Sequence, residues 1–440
     1  MNDALLTDLY QLTMAAGYWC AGKTGEVATF ELFVRRLPPN RNFIVAAGLR
    51  NAIDYLLNLR FQEEEIRYLQ GLPQFRNVGV GFFDGLRAFR FTGDVFAVRE
   101  GTPVFAGEPI LTLRAPLMEA QIPETFLLAT IGFQTLIATK AARMVEAAGG
   151  RAVVEFGTRR AHSPEAGVYA GRAAFIGGCT GTSNTLTGMK YGIPVFGTSA
   201  HSWVQSFPTE LEAFQRLQTL LGPATTYLID TYDTLEGARR AVALGKPFWG
   251  VRLDSGNLME LARAVRAILD EGGFPEARIM ATGDLNEYKI LELIAAGAPI
   301  DVFGVGTELA TSSDAPNHGA VYKMVELDHA GQRRFTAKFS QDKSTLPGAK
   351  QIFRYPTHDV LARTSESCGP GCEALLRPVI IGGEAVGREL TAVDSREHAR
   401  SSIERLPKKL RSLFECDPPY AIEHSEALRQ LTEQVRGAAQ

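Results

Sequence analysis

Cysteine is scarce in this 440-residue chain: five residues, irregularly spaced, are too few for a disulfide framework. Cys20 and Cys179 are expected as small buried residues. A basic excess is missing too. With 46 Lys and Arg against 49 Asp and Glu, the net charge is -3 and the pI is near 6.2. That balance excludes a dedicated nucleic-acid binder, whose phosphate contacts need a strong positive surplus, and leaves any anion site to local clusters. No run of about eighteen uninterrupted apolar residues occurs, so no membrane span is expected. The opening residues, MNDALLTDLYQLTMAAGYW, carry two early acids and no basic stretch before an apolar core. A secretory leader is therefore not expected, and the expectation is a cytoplasmic protein.

What is present is a large apolar fraction, 45%, enough to bury the cores of two or three domains. Between residues 150 and 330 one pattern recurs: a short apolar run, then glycine with hydroxyl or charged residues, then a helical stretch. The runs begin VVEFGTRR at Val153, AAFIGGCTGTSN at Ala173, IPVFGTSAHS at Ile193, TYLIDTYDT at Thr226, PFWGVRLDSG at Pro247, RIMATGD at Arg278 and IDVFGVGT at Ile300. This is the strand, loop and helix unit of an α/β barrel, in which polar residues at strand C-termini meet on one face and build a catalytic site. The expected organisation is an N-terminal α/β domain with a small sheet (1–145), the barrel (146–330) and a C-terminal supporting segment (331–440). Leu5 to Tyr18 has helical spacing, FELFVRRL alternates like a strand, and DVFAVREGTPVFAGEPILTLRAP from Asp94 suggests short strands.

The three late loops are the strongest local signal. GVRLDSGN supplies Arg252, Asp254, Ser255 and Gly256; ATGD supplies Thr282, Gly283 and Asp284; FGVGT supplies Gly304, Gly306 and Thr307. Glycines admit phosphate oxygens to backbone N–H groups, hydroxyls donate further bonds, and a following helix offers its positive end, so the set suits a phosphorylated ligand. Arg252 can make a forked contact, and Asp254 can accept from ribose hydroxyls or help hold a metal. Taken singly, each loop is equally well read as a tight turn.

Two further sets complete the candidate site. His201 in GTSAHSW and Asp230 in IDTYD end neighbouring runs, so the carboxylate is expected to orient the imidazole as a base or nucleophile; the bland alternative is a structural histidine. His162 and His318 lack such context. Phe156, with Arg159 and Arg160 behind it and Ser183 on the next unit, offers an aromatic face and a guanidinium for a small aromatic carboxylate; the alternative is a core ring with two surface arginines. In the tail, Cys368 and Cys372 of SESCGPGCEA, with Cys416 and His358, outline a partial structural zinc site, a minor expectation because the spacing exceeds the common two-residue separation.

TDLYQLTMAAGYW, FELFVRRLP, EFGTRRAH, GTSN, GTSAHSW, DTYDT, GVRLDSG, ATGDLNE and FGVGTELATS, in that order from Thr7 to Val325, resemble nicotinate phosphoribosyltransferase. The resemblance implies an irregular α/β barrel with a second α/β domain, a homodimer with shared active sites, and synthesis of nicotinate mononucleotide and pyrophosphate from nicotinic acid and phosphoribosyl pyrophosphate. It further implies magnesium, and coupled ATP hydrolysis through a phosphorylated histidine. Carried over, His201 accepts the phosphate and Asp230 orients it. Phe156 stacks on the pyridine ring, with Tyr10 of the partner subunit on its other face. Arg159 and Arg252 hold anionic groups, Asp254 the ribose hydroxyls, and Gly283, Asp284, Gly304 and Gly306 the nucleotide phosphate. The related nicotinamide enzyme has aspartate where Ser183 stands; a carboxylate there would repel an acid substrate, so serine favours nicotinic acid. The alternatives are a transferase for nicotinamide or another pyridine, and a silent barrel that binds phosphometabolites.

Overall fold

The computed structural model describes residues 4–341 and 343–438. The chain forms two compact units: unit 1 takes the chain up to Leu136, Asn317–Leu390 and the residues from Ser401 on, and unit 2 takes Ile137–Pro316 with Thr391–Arg400. The expected division at 145 and 330 therefore becomes a nested one. Its cause is strand pairing: Ala320–His329, expected in the barrel, lies antiparallel beside Val27–Val34 in unit 1.

Unit 2 is the α/β part. Its sheet runs Gly181–Thr182, Ala152–Glu155, Val302–Val305, Arg278–Ala281, Gly250–Leu253 and Thr226–Leu228, with every neighbouring pair parallel. Helices such as Pro164–Ile176, Thr234–Ala243, Leu258–Glu271 and Glu287–Ala295 connect the strands. Strand alternation places Ala152, Val154 and Phe156 on one face, where they pack with Met280, Val302 and Trp249, and turns Val153 and Glu155 to the other. Two expected strands are reduced. The Ala-Ala-Phe-Ile stretch from Ala173 ends the helix Pro164–Ile176, as its alanine content favours, leaving only Gly181–Thr182 as strand; the Ile193 run contributes a single parallel bridge, Thr182 to Val195.

Unit 1 is antiparallel. Its larger sheet is ordered Gln332–Phe335, Ala320–His329, Val27–Val34, Pro109–Pro116, Asp94–Ala97, Arg377–Ile381 and Glu384–Ala385. The C-terminal part, expected as a separate support, thus supplies strands to the N-terminal sheet. A second sheet joins Glu373–Ala374, Lys350–Arg354, His358–Arg363 and Ala421–His424. The unit buries charge in pairs: Lys350 Nζ lies 2.7 Å from Glu31, and Arg354 donates to both oxygens of Asp359 beside Glu108. A cavity of about 530 Å³ carries Arg35, Arg36, Lys350, His424 and Arg436 among its lining and no acidic side chain. Leu117–Ala147, interrupted at Pro123, is apolar and long enough to cross a membrane by composition, but 67% of its most apolar window is buried inside the protein.

Candidate active site

The site forms where the parallel strands of unit 2 end. Arg252, near the end of Gly250–Leu253, is consumed by its neighbours: Nε donates to Thr282 Oγ1 at 2.9 Å, Nη1 to Thr198 Oγ1 at 2.9 Å and to the Ser199 carbonyl at 3.3 Å, and Nη2 to Asp254 Oδ1 at 2.6 Å. Thr282 also donates to Asp254 Oδ1. Partial burial opposes ionisation of Asp254, but the Thr282 hydroxyl, the Arg252 guanidinium and nearby His201 outweigh it and hold its carboxyl below the usual range. An ionised, oriented carboxylate at a strand end suits acceptance from sugar hydroxyls.

His201 opens the short helix His201–Gln205, with its side chain 42% exposed. Its Nδ1 shares a hydrogen bond with Thr231 Oγ1 at 3.1 Å, and its Nε2 lies 3.7 Å from Asp254 Oδ2. The expected pairing with Asp230 is not formed. Asp230 Oδ2 instead accepts from the Asp254 N–H at 3.0 Å and from Ser255 Oγ at 2.7 Å, because the next loop offers two donors that satisfy the charge. Thr231, one residue on, takes the histidine. Among the described residues Asp230 Oδ1 is buried without a hydrogen-bond partner, a hard oxygen beside the Asp254 carboxylate of the kind that suits a divalent cation.

Phe156 donates its N–H to the Val305 carbonyl at 2.7 Å, and its ring lies over Gly304. A Cβ at Gly304 would come within 2.7 Å of that ring and 2.6 Å of Thr282, so this glycine, expected at phosphate, makes room for the aromatic face. Ser183 hangs from the Glu155 carbonyl by its N–H at 2.9 Å, and Arg159 and Arg160 are exposed on the turn Thr158–Arg160. Among the phosphate-loop residues, Ser255 and Gly256 precede Asn257, which caps Leu258–Glu271. Gly283, at φ 94°, packs on the Asp254 carbonyl where any side chain would collide; Asp284 follows at φ 46°. Gly306 and Thr307 open the single turn Thr307–Ala310. Tyr10 belongs to unit 1, on helix Leu9–Cys20, and is 49% exposed.

Sequence reasoning missed Glu155, Thr182 and Thr198. The signal for Glu155 was available: an acid where strand alternation calls for an apolar residue. The zinc outline is not assembled. Cys368 and Cys372 are joined to each other, Cys416 Sγ lies 3.4 Å from the Pro418 carbonyl, and His358 stacks on Tyr355. Among the described residues no group of three or more His, Cys, Asp or Glu is placed to hold a metal. Cys179 is buried as expected; Cys20 is exposed.

A parallel α/β sheet with an aromatic slot, an ionised aspartate and an exposed histidine at its strand ends outlines a ligand-transforming α/β enzyme. Residues 5–132 match the nicotinate phosphoribosyltransferase N-terminal domain model, and residues 152–335 match the nicotinate phosphoribosyltransferase family model. Nicotinate phosphoribosyltransferase pncB2 of Mycobacterium tuberculosis is 44% identical over 437 residues, covering 97% of this chain and 92% of that one; the Bacillus subtilis nicotinate phosphoribosyltransferase is 44% identical over 360 residues, covering 80% and 73%. The crystal structure of human nicotinic acid phosphoribosyltransferase superposes with a TM-score of 0.85 at 29% identity, covering 98% of this chain and 99% of that one. The chain belongs to the nicotinate phosphoribosyltransferase family.

Proposed function

We infer that this protein is a nicotinate phosphoribosyltransferase, joining nicotinic acid to phosphoribosyl pyrophosphate to give nicotinate mononucleotide and pyrophosphate. The observation that carries the reading is the ring slot of Phe156 over Gly304, beside the Arg252, Thr282 and Asp254 network, in a chain of this family. The pyridine nitrogen forms a bond to the anomeric carbon as the bond to pyrophosphate breaks, and the electron pair leaves on a pyrophosphate oxygen. Since the nucleophile is weak, orientation supplies much of the rate: Phe156 fixes the ring plane, Arg159 meets its carboxylate, and Asp254 accepts from the ribose hydroxyls. Asp230 and Asp254 would hold magnesium, which when bound would offset the charge of the leaving group.

The same proposal includes ATP. With Nδ1 held by Thr231, Nε2 of His201 is the nitrogen left to take the γ-phosphoryl group, releasing ADP, and hydrolysis later returns the free imidazole. A phosphate there adds charge beside the substrates and gives ATP a means of reshaping the loops. A homodimer with shared sites completes the reading; the exposed Leu6, Leu9, Tyr10 and Met14 in and before the first helix support a covering second copy.

The test is pyrophosphate release from phosphoribosyl pyrophosphate with nicotinic acid or nicotinamide, each with and without ATP and magnesium. Turnover with the acid, raised by ATP in wild type but not in His201→Asn, is expected. Preference for the amide would overturn the role of Ser183, full ATP stimulation in the His201 variant would overturn the phosphohistidine, and silence with both substrates would leave a phosphometabolite-binding barrel.

A further inference from the structure

Glu155 ends the strand Ala152–Glu155 on the face opposite Val154 and Phe156, where helix Pro164–Ile176 packs, and it is fully buried. Among the described residues no ion pair joins it. Its Oε1 accepts from the Gly157 N–H and its Oε2 from Thr182 Oγ1, at 2.5 Å. Thr182 Oγ1 in turn accepts from the Asn184 N–H at 3.0 Å, and Asn184 Nδ2 donates to Thr158 Oγ1 at 3.2 Å. One buried carboxylate therefore ties the loop bearing Phe156 and Arg159 to the loop bearing Ser183, from behind both. Gly157 is wedged at the same point: a Cβ there would come within 2.7 Å of the Gly306 carbonyl and 2.9 Å of Glu155 Oε1.

For stability alone this acid is a poor choice. A carboxylate taken out of water with no cation to pair it costs more than the valine or isoleucine that the strand would otherwise carry. Burial pushes its carboxyl above the usual range, even against the two hydrogen bonds. Two acceptor oxygens aimed at two different loops are what an apolar residue cannot supply.

We propose that Glu155 is a positioning residue for the aromatic substrate: by holding Gly157 and Thr182 together it sets the distance between the Phe156 ring with Arg159 on one side and Ser183 on the other. It touches neither substrate, and its role in turnover rests on the nicotinate reading above.

Glu155→Gln keeps the shape but gives up one of the two acceptors, and Thr182→Val removes the partner hydroxyl. In either variant the KM for nicotinic acid is expected to rise about 10- to 30-fold, the loss of one charge-assisted hydrogen bond, while the KM for phosphoribosyl pyrophosphate stays within about twofold. The double variant should fall short of the product of the two single effects, because both remove the Glu155–Thr182 bond while Thr182→Val also costs the Asn184 N–H its acceptor. Amide exchange at Gly157 and Asn184 should quicken about tenfold or more in Glu155→Gln. Unchanged nicotinic acid KM in both folded variants, or equal rises for both substrates with a falling Tm, would overturn the proposal in favour of plain structural support. Should the wild type not use nicotinic acid, the functional reading fails, and the exchange measurement still decides: unaltered exchange at Gly157 and Asn184 rejects the role of Glu155, and faster exchange sustains it.

Discussion

The two units use the same charged residue types to opposite ends. In unit 1, Glu31, Glu108, Asp359 and Lys350 are buried, and with the part-exposed Arg354 they close on one another and join strands. In unit 2, Arg252, Asp254 and His201 also form a network, yet the Asp254 and His201 side chains remain 27% and 42% exposed, where Glu108 and Asp359 of unit 1 are sealed from solvent. A charge cluster becomes a site when it is oriented by the protein and still has an exposed face to give.

The sharpest way to break this contrast is to remove one charge from each side. Asp254→Asn should lower kcat/KM by about a thousandfold, as loss of an oriented charged group does, with the smaller fall in denaturation midpoint of the two variants. Arg354→Met should do the reverse, costing about 3 kcal/mol by leaving Asp359 and Glu108 buried without their cation, measured by urea unfolding. If Asp254→Asn proves the more destabilising variant, the contrast fails.

A pH titration sharpens it further. Burial, reinforced by Asp359, holds the Glu108 carboxyl well above the usual range even though Arg354 opposes the shift. The folded state thus keeps a proton that the unfolded chain gives up, so this contribution to stability is full below the ordinary carboxylate pKa, about 4.3, and is lost as pH rises toward the folded value. Asp254, held low, contributes above the ordinary value and loses that contribution as pH falls through its own. Glu108→Gln should flatten the decline on the alkaline side of that ordinary value, and Asp254→Asn the decline on the acid side, in unfolding midpoints taken across pH.

That Arg252, Asp254, Thr282 and His201 gather at one place was legible because each stands in a loop where an apolar run stops and the composition departs from the strand before it. Partner choice was not legible. Whether Asp230 or Thr231 meets the imidazole depends on which neighbouring loop offers donors, and spacing carries no such information. Nor was the assignment of Ala320–His329, since an apolar stretch following the barrel rhythm looks the same whether it pairs within that sheet or with a strand near the N-terminus. The ring beside Gly304 was not legible either: a side chain there is excluded by Phe156, a contact between residues nearly 150 positions apart.

The nested path of the chain also has a consequence for biosynthesis. Val27 pairs with Asp328, about three hundred residues later, so at ~5–20 residues per second the central strand of unit 1 waits roughly 15–60 s for that neighbour to leave the ribosome. All six strands of the parallel sheet are synthesised in the interval. A nascent chain halted just before residue 320 would carry a sheet able to assemble beside a bare strand edge, the stage at which this protein asks most of a chaperone.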